Sequence, residues 1–171
     1  MISYERINSG RGAALAQGSF DVFAESDVSR FGKPGKTPSS LRSPWGRSPG
    51  VGPILVVDDD PSIREIIVET LELEGYPVEQ AANGAEALKK IEEQLPSLVL
   101  LDMRMPILDG WGLVSILRQR GWSLPIVVMT AAKNARTWAN EIGAAAFLDK
   151  PFEDTDLLAI AERFHGKLPK Q

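Results

Sequence analysis

From Ile54 onward the sequence alternates, five times over, between a short apolar run and an amphipathic stretch of roughly ten to fourteen residues. That alternation dictates βα units wound around a parallel sheet. The best runs, such as Ile54-Leu55-Val56-Val57 and Leu98-Val99-Leu100-Leu101, are unbroken Val, Leu and Ile, as strands covered on both faces require. Strands are expected at 54–57, 78–81, 98–101, 125–129 and 146–148. Helices are expected at 61–74, 84–94, 110–120, 134–142 and 153–165. The punctuation agrees. Asp60 suits an N-cap with Pro61 at the first helical position, and Asn83-Gly84 opens the second helix. Gly75, Gly121 and Gly143 follow the first, third and fourth helices, where a left-handed residue ends a helix most cheaply.

Acids close the runs. Asp58, Asp59 and Asp60 follow the first strand, Asp102 follows the third, and Lys150-Pro151 follows the fifth. In a parallel α/β sheet all strand C-terminal ends lie on one edge, where ligands bind. Several acids and one lysine therefore converge there. Crowded carboxylates repel, and burying them costs heavily without a cation. A divalent ion held by oxygen ligands answers that need, and Mg²⁺ favours carboxylates together with phosphate and water.

The remaining composition excludes more than it assigns. The chain has 171 residues and no cysteine, which rules out disulfides and thiolate metal sites and fits a reducing, cytoplasmic setting. No apolar run is long enough to span a bilayer, and the first thirty residues hold no signal-peptide core. Residues 53–171 carry twelve Lys/Arg against nineteen Asp/Glu, a balance that disfavours nucleic-acid binding by this part alone. Residues 1–52 are weakly basic, and fourteen of the twenty-two residues from 32 to 53 are Gly, Pro or Ser. Such a segment buries too little apolar surface to offset its ordering entropy, so 1–52 is expected to be a disordered extension. Within it, residues 20–23 could form a short extended piece, too short to stand alone.

Taken in order, LVVDDDPSIRE (55–65), LVLLDMRMPILDG (98–110), PIVVMTA (125–131) and AFLDKPF (146–152) resemble the receiver domain of bacterial response regulators. The resemblance covers about residues 53–166. It implies a doubly wound, five-stranded parallel sheet of flavodoxin-like (βα)5 type with strand order 2-1-3-4-5.

The same resemblance assigns roles. Asp102 would be the phospho-accepting nucleophile. Asp59 would bind Mg²⁺ directly, and Asp58 through water or as a second acid. The backbone carbonyl of Arg104 would complete the metal set with Asp102. Thr130 would donate its hydroxyl to a phosphoryl oxygen, and Lys150 would pair with the phosphate, aimed inward by a cis bond to Pro151. Phosphoryl transfer of this kind rests on positioning and charge neutralisation. Phe147 stands at the family's switch-aromatic position, with an ordinary core or edge aromatic as the equal alternative. It would move in from outside as Thr130 is drawn to the phosphoryl group. Asp109-Gly110 reads as a tight entry to the third helix.

The implied partners are a histidine kinase or histidine phosphotransfer protein as donor and a downstream protein bound through the face of helix four, strand five and helix five. No output domain is expected after His165, which at a helix C-terminus serves the dipole rather than phosphotransfer. The stretch 130–143 is shorter than is usual in the family, so the fourth helix should be short or shifted. Trp111 and Trp122 suit the edge of the core, whereas Trp138, if exposed, would suit a partner. Two rivals remain. One is an interaction module of the same fold that does not use phosphorylation. The other is an aspartyl-phosphate phosphatase, which normally has a second acid two residues after its nucleophile, where this chain has Arg104. The protein is otherwise expected not to be a turnover enzyme.

Overall fold

A computed structural model describes the backbone of residues 20–22 and, in full, residues 52–131 and 135–165. Its strands are β1 (Phe20–Val22), β2 (Ile54–Val57), β3 (Val78–Ala81), β4 (Leu98–Asp102), β5 (Ile126–Thr130) and β6 (Ala146–Asp149). Its helices are α1 (Pro61–Leu73), α2 (Gly84–Glu93), α3 (Gly110–Gln119), α4 (Ala135–Glu141) and α5 (Asp154–His165). Every strand and helix expected from the βα alternation is present, with ends displaced by no more than a residue or so. The fourth helix has seven residues, short as anticipated.

The sheet runs β1-β6-β5-β4-β2-β3. The strands β2 to β6 pair in parallel, which is the order 2-1-3-4-5 of the five repeated units. Side chains of β2 and β4 alternate between two cores. Leu55, Val57, Val99 and Leu101 face one cluster with residues of α2, α3 and α4, while Ile54, Val56, Leu98 and Leu100 face another with residues of α1 and α5. The strand period of two thus splits one continuous apolar run between two helical layers.

The short extended piece expected near residues 20–23 is present as an added edge strand. Phe20–Val22 pairs antiparallel with β6, setting Phe20 opposite Leu148 and Val22 opposite Ala146. Three residues cannot form a strand alone, but an unpaired sheet edge presents a row of donors and acceptors to which they can add. The rest of the 1–51 extension lies outside the described residues.

The caps explain the helix starts. Asp60 accepts from the amides of Ser62 and Ile63, with Pro61 leading α1. Asn83 accepts from Ala85 and Glu86, while the Glu86 carboxylate reaches back to accept from the Ala82 amide at 3.0 Å, a reciprocal arrangement that satisfies several end donors. Asp109 caps α3 through the Gly112 amide at 2.8 Å. At the other ends, Gly75, Gly121 and Gly143 all have positive φ. After Gly75 the amide of Tyr76 donates to Leu71, closing the last turn of α1.

Ile107 breaks the pattern. Its φ is 72°, a region that β-branched residues rarely enter, and its side chain is 83% exposed. Nothing in packing offsets that strain. Ile107→Gly is therefore expected to stabilise the fold by about 0.5–1 kcal/mol, because the relieved left-handed strain exceeds the extra chain entropy of glycine. A thermal melt should rise by about 2–5 °C. A fall would show that the Ile107 side chain contributes stability here.

Candidate functional site

The parallel order carries the chemical side chains to one edge. Asp102 is the last residue of β4 and Thr130 the last of β5. Asp58 follows β2 and Lys150 follows β6. Together with Asp59 and Arg104 they line an open pocket of about 350 Å³. The structure brings together every residue the sequence assigned to the site. The Lys150–Pro151 bond is cis, and the Lys150 amide donates to the Thr130 carbonyl at 2.9 Å, tying the two strand ends.

At the centre, the Lys150 ammonium donates to Asp58 Oδ2 at 2.5 Å and to Asp102 Oδ1 at 3.2 Å. The other oxygens are engaged as well. Asp58 Oδ1 accepts from the Asp60 amide at 3.0 Å, and Asp102 Oδ2 accepts from the Arg104 amide at 2.8 Å. Asp58 and Thr130 are almost fully buried, whereas Asp59 stands exposed on the pocket rim. Among the described residues, no three carboxylates or imidazoles close on one another as a ready-made metal cage. The charge of Asp58 and Asp102 is met instead by Lys150. The oxygens of Asp58 and of Asp102 all accept hydrogen bonds, but the Asp58 side chain is only 1% exposed against 12% for Asp102, which leaves Asp102 and the exposed Asp59 the more accessible carboxylates. The donors available to a cation are thus the Asp59 and Asp102 carboxylates and backbone carbonyls, an all-oxygen set that fits a hard divalent ion.

Burial pushes the Asp102 carboxyl above its ordinary value, and Lys150 and the Arg104 amide offset only part of that push. Burial pulls Lys150 down, but its hydrogen bond to Asp58 and the charges of Asp102 and Asp58 outweigh it and hold the ammonium above its ordinary value. A carboxyl raised by folding destabilises the folded state above its folded pKa, and that penalty vanishes below its unfolded value. Asp102→Asn is therefore expected to raise the melting temperature at pH 7 by about 2 °C or more, in the absence of divalent ions. The gain should shrink as pH falls through the carboxylate range. A gain that stays constant down to pH 3 would contradict the burial argument.

Several supports were not foreseen. The Arg64 guanidinium donates to the Asp58 carbonyl at 2.6 Å from the first turn of α1, fixing the β2 end from behind. Its place four residues after the N-cap was the available signal. The β4–α3 loop is held by close packing: a Cβ on Gly110 would lie 2.9 Å from the Met103 Cα. The Gly84 amide donates to the Leu108 carbonyl at 2.9 Å from the start of α2.

Two aromatic expectations are corrected. Phe147 is 5% exposed and already packed in the core, with the Arg136 guanidinium 5.7 Å from its ring centre. A switch in which it enters from outside does not match this conformation, because its place in the strand already points it at the α4 layer. Trp138 is also buried, at 9% exposure, between Trp111 and Arg104. It is not an exposed contact for a partner. Trp111 and Trp122 pack at the edge of the core as expected. His165 sits at the far end of the sheet, its Nδ1 2.7 Å from the Ser97 hydroxyl, and burial lowers its pKa.

Residues 54–162 match the family model described as the response regulator receiver domain. The chain belongs to the response regulator receiver family. The receiver is 44% identical over 108 residues to the response regulator MprA of Mycobacterium sp. (strain KMS), a match that covers 62% of this chain and 47% of that protein. It is equally similar to a probable transcriptional regulator, ycf27, of Pyropia yezoensis, of which the match covers 44%. The matching segment thus spans less than half the length of these relatives. Among solved structures, the receiver domain of NtrX from Brucella abortus matches with a TM-score of 0.61 at 33% identity, covering 67% of this chain and 99% of that one. The response regulator TrrA of Thermotoga maritima, solved in complex with Mg²⁺ and BeF, matches with a TM-score of 0.60 at 34% identity, covering 66% and 98%. No helix of the described residues is long and apolar enough to cross a membrane.

Proposed function

We propose that this receiver accepts a phosphoryl group on Asp102 from a histidine kinase or histidine phosphotransfer protein. It signals by changing its binding to another protein. The observation that carries this reading is the Lys150 ammonium bridging Asp58 and Asp102 over an open pocket. An Asp102 oxygen attacks phosphorus in line. The donor phosphorus–nitrogen bond breaks, and the departing imidazole keeps the electron pair and takes up a proton. Lys150 pairs with the incoming phosphoryl oxygens, and the Thr130 hydroxyl supplies a further donor from the end of β5.

The pocket's oxygen donors fit Mg²⁺, held by Asp59, Asp102 and the Arg104 carbonyl, with Asp58 acting through water. When bound, the ion neutralises charge that develops on the phosphoryl group. The likeness to TrrA, solved with Mg²⁺ and BeF, supports this choice of ion. The receiver's acidic balance favours a protein as its direct partner. Arg104 stands two residues after Asp102, where a turnover phosphatase has its second acid, which supports the phosphoacceptor reading.

The test is a titration with Mg²⁺ and then beryllium trifluoride, followed by amide NMR. Saturable shifts at Asp102, Thr130 and Lys150 that require Mg²⁺ are expected. Absence of any shift at these residues would leave only a phosphorylation-independent interaction module.

A further inference from the structure

The geometry points to Arg104 as a positioning residue that couples the charge on Asp102 to α4 through the indole of Trp138. This rests on the phosphoacceptor reading of Asp102 and adds to it a named route out of the site. The Arg104 backbone is fixed, because its amide donates to Asp102 Oδ2 at 2.8 Å. Its side chain is exposed at the rim of the pocket that holds Asp102 and Lys150. From there the guanidinium lies over the Trp138 ring, 5.1 Å from the ring centre. Trp138 in turn meets Trp111 edge-on, with ring centres 4.9 Å apart. A guanidinium two residues from the acceptor thus caps the aromatic pair that seats α4 against the first turn of α3.

That placement creates a competition. Phosphorylation adds a dianionic group beside Asp102, within the pocket that Arg104 already lines. A planar guanidinium binds phosphate oxygens through paired, charge-assisted hydrogen bonds, which outweigh a cation–π contact at an exposed rim. Arg104 then turns from the indole to the phosphoryl group, and Trp138 loses its cap. A second cation–π contact of α4, Arg136 over Phe147, lies on the same seven-residue helix. So short a helix has little cooperativity of its own, and these contacts add to the burial of Ala135, Trp138 and Ala139 in seating it. The ligand changes the equilibrium because Arg104 has different partners in the two states.

The test uses the full chain and its four indole N–H signals, assigned by single Trp→Phe variants. Mg²⁺ and beryllium trifluoride are added, and bound fluoride is read by fluorine NMR. In the parent, the Trp138 and Trp111 signals are expected to move while that of Trp122 stays. In Arg104→Ala, the Trp138 signal should start displaced and move by less than half as much. Trp138→Leu should still show bound fluoride, with the amide shifts of 135–141 reduced by more than half. Bound fluoride with a full Trp138 shift in Arg104→Ala would overturn the coupling alone. If that variant fails to fold, full α4 shifts in Trp138→Leu would overturn it equally. No bound fluoride in the parent would overturn the phosphoacceptor reading, and the coupling with it.

Discussion

Lys150→Met is expected to be the most destabilising single change at the site, and Mg²⁺ should reverse much of it. Lys150 has a side chain only 13% exposed, and it compensates Asp58, which is 1% exposed, and Asp102. Removing one partner of a buried ionic cluster leaves uncompensated charge and costs about 3 kcal/mol. In a fold of this size that lowers the melting temperature by roughly 10 °C. Methionine fills similar volume, so the loss reports charge rather than a cavity. A divalent ion that binds only the folded state restores stability by mass action. The loss should be largest near neutral pH and shrink as pH falls, because Asp102 gains a proton on the way down. Thermal melts of the variant with Mg²⁺ and with chelator provide the check. A melt equal to the parent's in chelator would show that Lys150 is not what compensates the acids.

Asp59→Ala should slow labelling by acetyl phosphate by about 100-fold or more at millimolar Mg²⁺, the usual scale for losing a group that stabilises charge at a transition state. Asp59 is the exposed acid of the set and carries none of the burial that holds Asp58 in place. The fold should therefore survive the substitution. Chelator should bring the parent down to the same low rate. Unchanged labelling in Asp59→Ala would place the ion on other oxygens.

Much of this was legible in the sequence, for a physical reason. Strands such as Ile54–Val57 and Leu98–Asp102 are buried on both faces, so nearly every position must be apolar and the run stands out. The site followed because a parallel sheet gathers strand ends, which brings Asp58, Asp102 and Lys150 together before any distance is known, while Thr130 was added by the family resemblance. What was not legible depends on contacts distant in sequence. The extended piece at Phe20–Val22 was expected, but not its antiparallel pairing with β6, which no pattern in three residues announces. Ile107 takes a left-handed conformation that favours glycine or asparagine, so its residue type hid the turn. Phe147 and Trp138 are buried in the core, with Arg136 and Arg104 over their rings, and no spacing rule announces a stacked guanidinium. Helix α4, by contrast, was expected to be short or shifted, because the stretch 130–143 is shorter than is usual in the resembled family.

The central claim is that Asp102 takes the phosphoryl group and that a divalent ion is required. Intact mass spectrometry of the parent and of Asp102→Ala, each incubated with acetyl phosphate in Mg²⁺ or in chelator, tests it directly. A single added phosphoryl group is expected in the parent with Mg²⁺, and none in the parent with chelator or in the variant under either condition. A phosphoryl group gained by Asp102→Ala at the parent's rate would contradict it.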